Sequence, residues 1–394
     1  MQGRITRRRA VMAGAAAGVL TATRSSAATT WQAYTYNPVG TVAAVVGFKR
    51  LISGFENSAN GSYTVSMHLG GSLPIAGNNI TQAVSQNVIQ LADDGFATGN
   101  IPIVGVLRLP MLLLSLADML KAMAILKPYL DRDYASKGIV VLGQYTYPFQ
   151  VIWGRKKITS LDDIKGLKLR VTSVEEGEFI RRFGGTSITM NPADVPAALD
   201  RGVVDGVLTA SSGGGITWKD LLHWRYGFPT SFVNSTFVVN QAADAQLPDA
   251  LRNALPGIGD EAAQWTTNEM QRQEDAITAD MAKGGMVVTS ATPEDIALAV
   301  SKMQSFWPQW AQAHGPEAVE VLGKIRAAVG RCPWRRLMRK PARRPRRREP
   351  ARQPRWWSSR WVRCNNLAAC VSACWNASAN WSAPSPSLPS PPSS

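Results

Sequence analysis

Short apolar strands and helices alternate so closely in the middle of the chain that they predict a compact βαβαβ unit. The predicted strands are Leu167–Val171, Ser187–Met190 and Val203–Leu208, and the intervening helices are Glu175–Phe183 and Asp194–Arg201. Strands that alternate with helices at this spacing are typical of an α/β fold with mostly parallel sheets.

The same alternation extends over a main body of residues 28–330. Trp31–Tyr36 and Tyr63–Leu69 read as strands on either side of a helix at Thr41–Glu56. Towards the end, a short helix at Asp249–Leu255 is predicted to be followed by a long one at Gly259–Lys283. A body of about 300 residues exceeds one ordinary domain, so we expect two.

Two local signals lie within this body. Ser160 and Asp163 have the spacing of a capping box, so we predict that Ser160 caps a short helix that ends at Gly166. The run Gly213–Gly215 lacks the lysine and hydroxyl residue of a phosphate-binding loop, and we interpret it as a flexible loop near a crevice.

Charge separates the body from the two ends of the chain. Residues 28–330 carry a net charge of −3, whereas residues 1–27 carry +5 and residues 331–394 carry +13. The first segment has paired arginines, a short apolar stretch and a small-residue cleavage pattern, which indicate a twin-arginine-like signal peptide and export to the periplasm. We interpret the last segment, rich in Arg, Trp and Pro, as disordered or translated out of frame.

The inventory of reactive side chains excludes several chemistries in the body. All four cysteines lie in residues 331–394, and the three histidines share no metal-ligand spacing. A cysteine nucleophile, a thiolate metal site and a disulfide framework are therefore excluded from the body. We predict no cofactor and no metal site.

Two polar residues end neighbouring strands of the βαβαβ unit. Arg170 lies at the end of one strand and Thr209 follows another, so both are predicted to face the crevice beyond the strand ends where α/β proteins bind ligands. A guanidinium at such a place matches a carboxylate with two parallel donors. From spacing alone, a surface salt bridge from Arg170 to a residue such as Glu175 is the favoured alternative.

Three separated motifs resemble the solute-binding proteins of tripartite ATP-independent periplasmic (TRAP) transporters. They are Ser160–Val171, which includes the sequence GLKLR, the pair Met190–Leu199 and Arg201–Gly206, and Leu109–Leu112 upstream. The order and spacing of these motifs cover roughly residues 30–328.

This resemblance implies a periplasmic-binding-protein-like fold of two α/β lobes joined by a hinge, with a long helix that crosses both. Lobe I would comprise residues 28–147 and 235–275, and lobe II residues 148–234 and 276–330. The protein would capture a small organic acid and deliver it to the membrane subunits of a TRAP permease, without catalysis.

The resemblance also assigns roles to individual residues. It implies that Arg170 binds the ligand carboxylate, which overturns the salt-bridge alternative. Thr209 stands where many members have an asparagine, and Gln150 stands where many have a second arginine. A single fixed cation favours a monocarboxylate over a dicarboxylate or a sialic acid.

Aromatic residues near these positions predict a partly apolar pocket. We expect Tyr145, Trp153 and Trp218 to contact the ligand, although most of the aromatic residues in these segments would belong to the core.

Two other functions remain open from the residues. An exported α/β enzyme acting on an organic acid would need a nucleophile or base in the crevice. A nucleic-acid-binding role would rest on the basic tail alone, and we predict no nucleic-acid partner for an exported acidic body.

Overall fold

A computed structural model of the chain describes residues 28–330. The predicted signal peptide and basic tail lie outside the described residues, as do the four cysteines. The described part contains eleven strands: β1 (Thr29–Thr35), β2 (Tyr63–His68), β3 (Leu91–Asp94), β4 (Ile139–Thr146), β5 (Gln150–Gly154), β6 (Lys168–Val171), β7 (Thr186–Thr189), β8 (Gly206–Thr209), β9 (Trp224–Ser231), β10 (Asn234–Asn240) and β11 (Val287–Ser290).

Residues 28–330 also form eleven helices. They are α1 (Ala43–Ser58), α2 (Ile80–Ser85), α3 (Leu116–Ala135), α4 (Val174–Arg182), α5 (Val195–Asp200), α6 (Ile216–Trp218), α7 (Gln241–Ala245), α8 (Asp249–Lys283), α9 (Pro293–Met303), α10 (Phe306–Ala313) and α11 (Pro316–Val329). None of these helices is long and apolar enough to cross a membrane.

The strands form two separate sheets, one for each lobe. The first has the order β2-β1-β3-β10-β4, and the second has the order β11-β9-β5-β8-β6-β7. Both sheets are mixed, because β10 is antiparallel to β3 and β4 while β5 is antiparallel to β8 and β9. The expectation of mostly parallel sheets is nevertheless confirmed, because β10 in the first sheet and β5 in the second are the strands that run against neighbours of one shared direction.

The chain passes between the two sheets three times. It leaves the first sheet between β4 and β5, returns between β9 and β10, and crosses again along α8 before β11. Two adjacent strand connections of only a few residues, together with one helix, form the hinge of the two-lobe fold. The sequence-based lobe boundaries remain a prediction.

The βαβαβ prediction for the middle of the chain is confirmed. Strands β6, β7 and β8 pair in parallel, with α4 and α5 as the connecting helices. Ser173 begins α4 by accepting a hydrogen bond from the backbone of Glu176 at 3.4 Å. Gly184 follows its end with φ +80°, a conformation that favours glycine. Because α4 is capped at both ends by residues with clear preferences, this unit could be predicted from the sequence.

Helix α8 is one continuous helix of 35 residues, whereas the sequence predicted two helices, Asp249–Leu255 and Gly259–Lys283. At about 1.5 Å per residue it is roughly 50 Å long. Its first half packs on α1 and β4, where Gly259 lies against Leu142 so closely that a Cβ would approach the carbonyl oxygen to 2.5 Å. Its second half reaches the second sheet, so α8 spans both lobes.

The C-terminal helices α10 and α11 pack against α4 and α3. Helix α11 packs on α3, where Arg132 forms a two-point ion pair with Glu317. On α10, Trp310 donates a hydrogen bond from Nε1 to Glu175 at 3.1 Å. These helices therefore contact segments from both halves of the chain.

Three local predictions differ from the structure. The Ser160 side chain makes no capping hydrogen bond; instead the Asp163 carboxylate accepts from the backbone of Thr159 and Ser160. Strands β3 and β9 were not predicted, because β3 has the sequence LADD and β9 contains Gly227 and Pro229, which are unfavourable in strands.

Candidate functional site

A cavity lies between the two sheets, at the carboxyl ends of strands from each. Its empty volume, including the open mouth, is about 530 Å³. The lining residues come from the segments that follow β1, β3, β4, β6 and β8, together with the Ser211–Gly215 turn: Tyr36, Asn37, Pro38, Val39, Gly95, Phe96, Tyr147, Gln150, Arg170, Thr172, Pro192, Thr209, Gly213, Gly214, Thr217, Trp218 and Val233. Strand ends are the usual ligand-binding edge of an α/β sheet.

Arg170 is the charged residue in the cavity wall, and only 2% of it is exposed. Its Nε and Nη2 donate to the carbonyl oxygen of Met190 at 3.0 and 2.8 Å, and Nη1 donates to that of Leu208 at 3.5 Å. The guanidinium lies 5.3 Å from the ring centre of Trp218. These contacts fix the side chain but leave it without a counter-ion.

Among residues 28–330, Arg170 forms no ion pair. Burial therefore lowers the pKa of Arg170 to about 10, with a smaller opposing effect from Glu176. The salt bridge to Glu175 that spacing alone allowed is absent, because the Glu175 carboxylate accepts from Trp310. A buried cation without a counter-ion is costly, and an anionic ligand would remove that cost.

Four of the six predicted site residues line the cavity together: Arg170, Gln150, Thr209 and Trp218. Gln150 is 2% exposed and donates from Nε2 to the carbonyl oxygen of Pro148 at 3.2 Å. The Thr209 hydroxyl accepts a hydrogen bond from the backbone of Gly214 at 2.9 Å, which ties the glycine run to β8. Gln150 therefore contributes a neutral amide near Arg170.

The structure places the other two predicted residues, Tyr145 and Trp153, behind the cavity lining. Trp153 donates from Nε1 to the carbonyl oxygen of Thr209 at 2.8 Å and packs beneath Gly215. The hydroxyl of Tyr145 donates to Asp93 and lies 3.3 Å from the hydroxyl of Tyr36, which does line the cavity. Tyr145 lies inside β4, whereas the lining residue Tyr147 follows the end of this strand.

The glycine run Gly213–Gly215 lies in a wide helical turn, Ser211–Gly215, at the cavity edge. Glu274 of α8 accepts hydrogen bonds from the backbone of Ser211 and Ser212 at 2.9 and 2.8 Å. The segment interpreted from the sequence as a flexible loop is therefore a helical turn that α8 holds through these hydrogen bonds.

Sequence reasoning missed the first-lobe wall of the cavity. Tyr36 and Asn37 follow β1, and Phe96 follows β3. Tyr147 follows β4. The sequence signal for these lining residues was weak, because polar and aromatic residues commonly follow strands. Their prediction would also have required the position of β3 beside β1, which the sequence does not show.

The tyrosines of this wall form a hydrogen-bonded cluster above a buried carboxylate. Asp93 is fully buried and accepts from Thr35, Ser235 and Tyr145 at 2.6 to 3.1 Å. Burial raises the pKa of Asp93 to about 7, although these hydrogen bonds oppose the rise. Burial also raises the pKa of Tyr147 to about 12, so its hydroxyl stays protonated at neutral pH.

No group of three or more His, Cys, Asp or Glu side chains within residues 28–330 is arranged to hold a metal ion. The cavity instead offers one buried cation, amide and hydroxyl groups, and aromatic surface. Two α/β lobes that face each other across such a cavity define a two-lobe solute-binding protein.

The chain belongs to family 7 of the bacterial extracellular solute-binding proteins, whose family model matches residues 42–313. Members of this family are extracytoplasmic receptors of TRAP-type transporters, not enzymes, so the protein is a periplasmic binding protein. The resemblance inferred from the three sequence motifs is confirmed, and the alternative of an exported enzyme is not supported.

Solved structures of the same type share the fold. An extracytoplasmic solute receptor of Bordetella pertussis that binds pyroglutamic acid is 22% identical with a TM-score of 0.71, over 76% of this chain and 100% of its own. A TRAP periplasmic solute-binding protein from Ralstonia eutropha with bound (S)-2-acetolactate is 19% identical with a TM-score of 0.71, over 77% and 99%. A third, from Roseobacter denitrificans with bound β-D-glucuronate, is 21% identical with a TM-score of 0.68, over 76% and 99%.

Proposed function

We propose that this receptor binds a small organic monocarboxylate through Arg170 and delivers it to a TRAP permease. The observation that carries the proposal is the buried guanidinium of Arg170, which lines the inter-lobe cavity and has no counter-ion among the described residues. A carboxylate would satisfy the charge with two parallel hydrogen bonds.

A single carboxylate suits the cavity better than two. Gln150 occupies the place of a possible second cation, and its amide carries no charge. Arg108 is equally buried, but it does not line the cavity and donates to the carbonyl oxygens of Gly95 and Asn234. The ligands named for the similar structures, pyroglutamate, 2-acetolactate and glucuronate, each carry one carboxylate.

Closure of the lobes would strengthen the interaction. Tyr36 and Asn37 come from the first lobe and Arg170 and Trp218 from the second, so a ligand between them contacts both. Expulsion of water lowers the local dielectric constant, and the attraction between the guanidinium and the carboxylate increases. The hinge strands and α8 allow such closure without a change in either sheet.

The test is a calorimetric screen of the purified mature protein against a panel of organic acids. Arg170→Ala should weaken binding of every carboxylate ligand about 100-fold or more, because it removes the charged donor from a buried site. Arg181→Ala is the matched control, since Arg181 is exposed on α4 and pairs with Glu178. Retention of full affinity in Arg170→Ala would refute the site.

A further inference from the structure

The tyrosine cluster in the cavity wall forms a continuous chain of hydrogen bonds that ends at Asp93. The hydroxyl of Tyr145 donates to Asp93 at 3.0 Å. The hydroxyl of Tyr36 lies 3.3 Å from that of Tyr145 and 2.7 Å from that of Tyr147. Asn37 donates from Nδ2 to Tyr147 at 3.4 Å.

The direction of each bond follows from the number of hydrogens available. A hydroxyl has one hydrogen, and Tyr145 gives its hydrogen to the carboxylate of Asp93. Tyr36 must therefore donate to Tyr145, and Tyr147 must donate to Tyr36. All three hydroxyl hydrogens point along the chain towards Asp93.

Ionised Asp93 is the anchor that sets this direction. Thr35 and Ser235 also donate to it, at 2.9 and 2.6 Å, so three hydroxyl groups converge on one buried carboxylate. If Asp93 were neutral, its own hydrogen could be given to Tyr145, and each tyrosine could then donate in the opposite direction. Tyr147 would in that case direct its hydrogen into the cavity.

We propose that Asp93 and the tyrosine chain determine ligand selectivity by presenting hydrogen-bond acceptors, not donors, to the cavity. Tyr36 and Tyr147 line the cavity together with Arg170, and these two tyrosines offer a ligand the spare lone pairs of their hydroxyl oxygens. The ligand class is therefore a carboxylate that also carries an O–H or N–H donor. This inference rests on the proposed function, because it assumes that Arg170 binds the carboxylate.

The proximity of the tyrosines to Arg170 supports recognition of both groups on one small molecule. Tyr36, Tyr147 and Arg170 line the same cavity. A hydroxy acid would place its hydroxyl hydrogen on a tyrosine oxygen while Arg170 binds its carboxylate. An oxo acid with the same skeleton would bring an acceptor to the same acceptor surface, and one pair of polar groups would be left unsatisfied.

The experiment compares 2-hydroxy and 2-oxo monocarboxylates of the same carbon skeleton by calorimetry at pH 8, where Asp93 is ionised. The wild-type receptor should prefer the hydroxy acids. Asp93→Asn should lower the ratio of hydroxy-acid to oxo-acid affinity about 10-fold or more, because the amide donates to Tyr145 and reverses the chain.

Tyr36→Phe tests the same idea without a change at Asp93. It interrupts the chain, so Tyr147 is free to donate into the cavity, and the affinity ratio should shift in the same direction. Tyr226→Phe is the matched control: Tyr226 is a buried tyrosine whose hydroxyl donates to Asp295 at 2.7 Å, and it does not line the cavity. Its affinity ratio should equal that of the wild type.

The outcomes separate this inference from the proposed function. If acids bind in an Arg170-dependent manner but the affinity ratio is unchanged in Tyr36→Phe and in any folded Asp93→Asn, the selectivity inference is wrong and the proposed function stands. If no organic acid binds, the proposed function fails and this inference fails with it. Thermal melts of each variant identify any that do not fold, and Tyr36→Phe then decides.

Discussion

The stability of the Asp93→Asn variant, measured relative to the wild type, should be higher at pH 8 than at pH 5. Asp93 is fully buried, and burial raises its pKa from the ordinary 3.8 to about 7. Asparagine has nearly the same shape but no ionisable group. Its single oxygen accepts from only one of Thr35 and Ser235, which donate to different oxygens of Asp93, and this loss is the same at every pH. The difference between the two proteins therefore reports the ionisation of one carboxyl group.

The magnitude follows from the shift in pKa. An acid whose folded-state pKa is raised contributes stability that is fully present below the unfolded-state pKa and is lost as the pH rises through the folded-state pKa. At about 1.36 kcal/mol for each pKa unit, the full loss for Asp93 is roughly 4 kcal/mol. Between pH 5 and pH 8, the calculated loss is about 2.5 kcal/mol.

Thermal unfolding of both proteins at pH 5 and pH 8 is the assay. For a body of about 300 residues, 2.5 kcal/mol corresponds to about 4 °C in Tm. The neighbouring Asp94, whose pKa is raised to about 6 by burial, is present in both proteins and largely cancels in the difference. A Tm difference that stays constant between the two pH values would refute the argument that burial controls the charge of Asp93.

Two further substitutions test the long helix. Gly259→Ala should destabilise the protein by about 1–3 kcal/mol in urea unfolding, because its Cβ would lie 2.5 Å from a carbonyl oxygen of β4. Gly323→Ala in α11, where a Cβ meets nothing within 4 Å, should stabilise by up to about 1 kcal/mol, and equal effects of the two would contradict the close approach. Glu274→Gln should weaken both stability, by about 1–3 kcal/mol, and affinity for organic acids, because it removes an acceptor from the Ser211–Gly215 turn. Glu261→Gln, at an exposed position of α8, should change neither, and an unaltered affinity in Glu274→Gln would show that the turn does not depend on the helix.

The βαβαβ unit could be predicted from the sequence because its signals are local. Apolar strands of four or five residues, a serine cap and terminal glycines all lie within a few residues of the feature they specify. Arg170 could be identified for the same reason, since it ends a strand of this unit and lies within a distinctive motif. The proposal that it binds a carboxylate then needed only its burial without an ion-pair partner.

The first-lobe wall could not be predicted in the same way. Tyr36 and Tyr147 of this wall and the buried Asp93 are far apart in the sequence. They meet only because β1 pairs with β3, β3 with β10, and β10 with β4. The polar sequence of β3 made a fully buried strand hard to predict, because its two aspartates accept hydrogen bonds from hydroxyl groups of other segments.

The sequence by itself determined the class of this protein: an α/β chain with a βαβαβ unit, an arginine at a strand end and the motifs of a solute receptor. These features depend on residues close together in the chain. Only the tertiary structure decided what surrounds that arginine, because burial, the absence of a counter-ion and the direction of a hydrogen-bond chain depend on segments that meet after folding. The selectivity proposed for Asp93 belongs wholly to this second kind of information.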